Sequence, residues 1–306
     1  MEHQEKKEIS MGVASGIGAY LIWGFLPIYW KFVDHVPPFE VLAHRIVWSL
    51  LIMLILLLVT KKFKALIYDL RYLAENPKIV VGILLAALFI SINWVIFIWA
   101  VANDRIVEVS LGYYINPLFN VLLGVIFFKE TLHFWQRIAV GLAFTGVAIL
   151  TFSFGEVPYI ALLLAVSFGC YGLVKKQTKI GAMTGLTLET LLLTPIALGF
   201  LFWIHRDVSS ILHLQNLSTG YLLIGTGIAT AVPLLLFGIG AQKIPFSLIG
   251  FLQYIAPTIM LILGVIFYNE PFTIVHVVSF AFIWVGLVIY SIGKSSFMVS
   301  IQPKQR

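Results

Sequence analysis

The chain has 306 residues, of which 60% are hydrophobic and only 11% charged, and its mean hydropathy is +0.99. Soluble domains carry charge on about a quarter of their residues, so this composition excludes one and marks an integral membrane protein. The net charge of +6 does not point to nucleic acid, because the cations fall mostly between apolar spans and form no basic face interleaved with aromatics.

A run of about 20 apolar residues crosses the hydrocarbon core of a bilayer. Ten such spans follow in chain order, near residues 11–33, 39–60, 79–101, 106–128, 132–153, 158–175, 183–204, 219–241, 245–268 and 273–293. The first run follows charges, but it is too long for the apolar core of a signal peptide and no cleavage pattern closes it, so it reads as a retained span. Lys31, Arg105 and Arg206 fall on one side of the spans and Arg45 inside one; all remaining lysines and arginines fall on the side of the termini. Cations concentrate in cytoplasmic loops, which predicts both termini inside. Residues 1–10 and 294–306 are then cytoplasmic tails. Cys170 is the single cysteine, which excludes an internal disulfide and a cysteine metal cluster. No metal site and no cofactor motif is read.

The chain is internally duplicated. "YINPLFNVLLGVIFFKE" (114–130) and "YIAPTIMLILGVIFYNE" (254–270) align without a gap at an offset of 140, with proline, glycine and glutamate in register. The units are 11–153 and 154–293, each of five spans. An odd span count turns the second copy over, so the expected fold is an all-α membrane protein of ten helices in two inverted five-helix repeats. Carriers of this plan place their substrate site near the midplane between the repeats.

Depth along each span selects the candidate site. Pro117 and Pro257 lie mid-span, where a proline kinks a helix and frees a carbonyl. Around them, or at similar depth, are Trp23, Asn93, Trp94, Tyr113, Tyr114, Asn116, Gln253 and Tyr254, an aromatic and amide set suited to a planar or amphipathic small molecule. Interhelical packing and hydrogen bonding is the competing reading of the same residues. Arg45 in "LAHRIVW" lies about six residues, or roughly 9 Å, below the outer surface. There its stem snorkels to the interface, or its head meets an anionic or zwitterionic group. His44 joins Arg45 and Glu40 in a polar outer vestibule and is the candidate for a coupling proton. An offset of 145 lays His44 over Glu189, which makes Glu189 the matching residue at the inner mouth. Glu130 and Glu270 each precede a helix and read as caps of that helix. Glu108 reads as an outer-surface residue. Gly12, Gly16, Gly141, Gly146 and Gly286 read as small faces for close helix packing.

The repeated stretch "LLGVIFFKETLHFWQRIAVGLAFTGVAIL" resembles the second half of an EamA unit of the drug/metabolite transporter superfamily, and two copies cover almost the whole chain. "YLIWGFLPIYWKFVDHVPPFEVLAHRIVWSLL" and "NWVIFIWAVANDRIVEVSLGYYINPL" are similar to the RarD-type branch, named for chloramphenicol sensitivity. The resemblance implies a ten-helix carrier of the bacterial cytoplasmic membrane for small metabolites, with export the expected direction. The expected function is secondary transport of a small organic or drug-like solute by alternating access. Its partners are the solute and the lipid bilayer, with no nucleic acid; a coupling proton and a homodimer stay open. An intramembrane enzyme and a non-transporting sensor or interaction protein are the alternatives. The chain lacks HExxH, GxSxG and Walker A sequences.

Overall fold

The computed structural model describes residues 2–103, 105–155, 157–178, 180–213, 215–267 and 273–293. Among them every regular element is a helix: α1 (Glu2–Lys31), α2 (Pro38–Val59), α3 (Phe63–Glu75), α4 (Pro77–Ala102), α5 (Ile106–Phe128), α6 (Phe134–Phe154), α7 (Tyr159–Gln177), α8 (Ala182–His205), α9 (Val208–Ile211), α10 (Leu217–Lys243), α11 (Phe246–Gln253), α12 (Ile255–Phe267) and α13 (Ile274–Ile292). Hydrocarbon offers the backbone no hydrogen-bond partner, so spans this apolar must satisfy themselves as helices. Ten are long and apolar enough to cross a membrane, with α11 and α12 together forming one of them.

Three features go beyond the sequence expectation. The segment expected as a tail at 1–10 is helical from Glu2 and continuous with the rest of α1. The break between the second and third spans holds a helix, α3, that buries Leu66 and Leu73 one face apart by two turns and exposes Tyr68 and Leu70. The two proline kinks are unequal. α5 runs unbroken through Pro117, whereas its counterpart breaks at Tyr254, three residues before Pro257. Pro257 has no N–H to give the Gln253 carbonyl, and the turn tightens there, with Tyr254 N donating to Phe251 O at 3.2 Å.

The packing repeats across the halves. α1 packs on α10 as α7 packs on α4, while α5 packs on α11, α2 on α8 and α6 on α13. The last pair shares the longest contact. Ala139 and Ala143 are fully buried there, a Cβ added at Gly146 would meet the Ser279 carbonyl oxygen at 2.5 Å, and one at Gly286 would meet that of Ala139 at 2.9 Å. Gly146 and Gly286 are repeat equivalents, and both serve the close packing expected of them. Gly141 does not, since a Cβ there meets nothing within 4 Å.

Glu130 corrects a further expectation. Its carboxylate accepts from the backbone N–H groups of Phe246 at 2.6 Å and Ser247 at 2.9 Å, so it caps α11 in the other half of the chain and not the helix that follows it. Lys129 adopts a left-handed φ of 53° and turns the chain back on α5, which leaves α6 to be capped by a reciprocal His133–Gln136 box. Glu270 lies outside the described residues.

Overpacking a tight helix contact costs about 1–3 kcal/mol, whereas an alanine in place of an unobstructed helical glycine gains up to about 1 kcal/mol. Gly146→Ala should therefore lower, and Gly141→Ala maintain or raise, the thermal unfolding midpoint of the purified protein in detergent.

Candidate functional site

A cavity of about 460 Å³ lies between the halves, lined by α1, α2, α4, α5, α7, α10, α11 and α12. Trp23, Asn93, Trp94, Tyr113, Asn116, Gln253 and Pro257 all line it. Tyr114, Tyr254 and Pro117 do not. Tyr254 is fully buried, donates its hydroxyl to the Tyr114 carbonyl at 3.3 Å and packs with Tyr114 against Ala143, Val147 and Ile283. Neighbours on a helix point about 100° apart, so Tyr113 faces the cavity while Tyr114 faces α6 and α13.

Arg45 also lines this cavity and is not part of a separate outer vestibule. The cavity runs from Trp23, Asn116 and Gln253 in mid-span up to Trp30, near the end of α1, and Val109, in the first turn of α5, so a shallow residue on α2 can still reach it. The guanidinium carbon stands 4.8 Å from the ring centroid of Trp30 and 5.3 Å from that of Trp94, within cation–π range. Its Nε donates to Thr230 Oγ1 at 2.9 Å. Among the described residues no carboxylate pairs with it, and its terminal N–H groups remain available to a ligand. Two indole faces and a hydroxyl thus replace a counter-ion.

The amides are partly committed to helix packing. Asn93 Nδ2 donates to Leu164 O and Ser167 Oγ, both at 3.0 Å, and Asn116 Nδ2 donates to Ala165 O at 3.2 Å. Asn120, which the sequence reading overlooked, links the halves. Its Nδ2 donates to Asn116 Oδ1 at 3.0 Å and to Gln253 Oε1 at 2.7 Å. Its signal was present in "NPLFN", where the two asparagines are four residues apart and so share a helix face. Trp30 and Thr230 were overlooked as well; as an ordinary aromatic near a helix end and one threonine among many, they carry no sequence signal.

Below Trp23 and Phe168 the cavity is floored by buried Tyr171 and Phe237, whose rings stack at 6.0 Å and 17°. Glu189 is buried behind this floor, where it lines a second, small pocket with Lys175, Thr178, Gly185 and Gln242. Its Oε1 is 2.7 Å from Lys175 Nζ, and its Oε2 accepts from the Tyr171 hydroxyl at 3.1 Å. Lys175, counted among the loop cations, is buried in this pair. Lys176 likewise leaves the loop to bond the carbonyls of Ala241 and Ile244 at the end of α10.

His44 is buried beside Glu40, as their spacing suggested, but neither lines the cavity. Glu40 Oε1 lies 2.7 Å from Nε2 of both His205 and His213, residues more than 160 positions away. Glu108 is buried too, not on the surface. It pairs with Arg105 and accepts from the Ile160 N–H at 3.4 Å, so it caps α7 from α5.

The chain matches the EamA-like transporter family twice, over residues 10–152 and 158–292. It is 44% identical to the uncharacterized transporter YojE of Bacillus subtilis (strain 168), over 96% of this chain and 97% of that one. Protein RarD of Escherichia coli (strain K12) is 42% identical over 94% of this chain and 95% of its own. The chloramphenicol-sensitive protein RarD of Pseudomonas aeruginosa is 28% identical over 91% and 92%. A solved crystal structure, 19% identical, superposes with a TM-score of 0.66 over 92% of this chain and 97% of the other, which supports the fold. Ten apolar helices, a family match in each half and relatives named as transporters lead to one conclusion: the chain is a multi-pass membrane protein that belongs to the EamA-like transporter family.

Proposed function

We propose that the protein is a secondary carrier of a small organic solute with a planar or apolar body and an anionic or zwitterionic group. The observation that carries this reading is Arg45, a cation without a carboxylate partner among the described residues, set between two indoles in the cavity wall. A volume of about 460 Å³ suits a small metabolite. Trp23, Trp94 and Tyr113 offer ring faces, while Gln253 and the carbonyls left by Pro117 and Pro257 orient polar groups.

The mechanism is alternating access between inverted repeats. With both termini inside, the cavity extends toward the outer ends of α1, α5 and α12, and the aromatic floor with the Lys175–Glu189 pair closes the inner side. Rocking of the halves would open that floor and separate the outer ends. Export across the bacterial cytoplasmic membrane is the favoured direction. The solute gradient or a coupled proton supplies the energy.

Purified protein in proteoliposomes should accumulate at least one member of a panel of amino acids, nucleoside derivatives and amphenicols. Failure of folded protein to move any of them overturns the reading. A hydrogen bond to a charged group contributes about 1.5–3 kcal/mol, so Arg45→Ala should lower transport by roughly 10- to 100-fold at unchanged abundance. Tyr254→Phe should leave the KM for the solute unchanged. Wild-type flux in the Arg45 variant would make the residue a snorkelled anchor only.

The floor generates a second expectation. Removing one partner of a buried ion pair costs about 3–5 kcal/mol, whereas replacing both with apolar residues is often neutral. Lys175→Met should lower the unfolding midpoint and Lys175→Met with Glu189→Leu should restore it; if transport returns with stability, the pair is structural and carries no coupling proton.

A further inference from the structure

Glu40, in the first turn of α2, receives two histidines from the second half of the chain: His205, the last residue of α8, and His213, just beyond α9. One carboxylate oxygen serves both Nε2 atoms at 2.7 Å, and the three atoms lie within 4.8 Å of one another. Glu40 is buried while the histidines are partly open to solvent, so the cluster is enclosed but reachable.

From this geometry we propose that Glu40, His205 and His213 form a site for a divalent transition metal of the zinc class, binding the ends of α2 and α8 together. Two imidazoles and one carboxylate are a known ligand type for zinc. Calcium and magnesium prefer sets made almost wholly of oxygen. A tetrahedral site with bonds of about 2.0–2.2 Å holds its ligand atoms roughly 3.4 Å apart. Opening the 2.7 Å contacts to that spacing takes less than about 1 Å of side-chain movement. The imidazole rings of His205 and His213 are 5.6 Å apart, centroid to centroid, close to the roughly 5 Å that such bond lengths require.

The metal takes the place of the two Nε2 hydrogens, with no net loss of protons. Without it, each histidine donates Nε2–H to Glu40; with it, both rings shift their proton to Nδ1 and present a lone pair. Two neutral imidazoles and one carboxylate carry a charge of −1, which a dication offsets.

The surroundings hold this arrangement. His213 adopts a left-handed φ of 50° and Arg206 one of 63°, conformations that cost a non-glycine residue free energy. Asp207 fixes the segment between them by accepting from Ser210 N at 2.8 Å and from the Ser209 and Ser210 hydroxyls at 2.5 and 2.8 Å. His44 stands next to His213, its ring 6.1 Å away. Its Nδ1 accepts from Trp48 Nε1 at 3.3 Å, which places its proton on Nε2, a fully enclosed atom with no acceptor among the described residues. A water completing the metal's fourth position would supply one.

The site is separate from the cavity and does not depend on the carrier reading. Untagged full-length protein in detergent, stripped with a chelator, should bind about one Zn2+ per chain by equilibrium dialysis at neutral pH, and neither Mg2+ nor Ca2+ should compete. His205→Gln with His213→Gln should weaken Zn2+ binding by more than about 100-fold, and His44→Gln by about 10-fold, as outer partners of a metal site do. Elution volume and metal-free melting temperature check that the variants fold. If a variant does not fold, Co2+ added to the wild type should give the intense visible bands of a tetrahedral nitrogen and oxygen site. Folded wild type that binds no Zn2+, a folded double variant that binds it equally, or an octahedral Co2+ spectrum would each overturn the proposal.

Discussion

The crossing of α5 and α11 is the contact on which the rest of the molecule depends. Gly250 lies so close to α5 that a Cβ there would meet the Pro117 carbonyl oxygen at 2.6 Å. Asn120 joins Gln253 across the same contact, and Glu130 caps the N-terminus of α11. In hydrocarbon the apolar side chains gain little by leaving lipid, so helices associate through close packing and polar bonds of this kind. The cavity begins beside this crossing, where Asn116 and Gln253 reach its wall. One contact therefore joins the two halves and positions the space between them.

Three charged groups show how the interior treats charge without water. Glu189 has a full ion pair with Lys175 and a hydroxyl donor from Tyr171, so each of its oxygens has a partner. Glu40 has two imidazole nitrogens against one of its oxygens. Arg45 has ring faces and one hydroxyl. The first arrangement is complete; the proposed metal would complete the second and the proposed anionic or zwitterionic group of the solute the third. Burying an ion is costly unless it is paired, so the incomplete pairings mark where the protein has kept capacity for something it does not itself contain.

Among the described residues, those of the outer pair, α6 and α13, add nothing to the cavity wall. Their small-residue contact instead forms a frame against which Tyr114 and Tyr254 pack. Conversely, α1 and α7 each send an aromatic, Trp23 and Phe168, both into the cavity and onto its floor, so the wall and the floor share side chains.

Much of this was legible in the order of residues. Hydropathy alone determined the ten spans, because the bilayer sets their length, and the register of Pro117 with Pro257 and Gly146 with Gly286 determined the duplication. Six of the eight central residues named from depth do line the cavity. Depth, however, says nothing about which way a side chain faces, and Tyr114 and Tyr254 were lost for that reason. Only the tertiary structure decided that Arg45 shares the central cavity, that Glu130 caps the opposite repeat, that Lys175 leaves its loop for Glu189, and that two distant histidines meet Glu40. Each is a contact between elements far apart in the chain, fixed by how helices rotate and cross, and no local pattern encodes that angle.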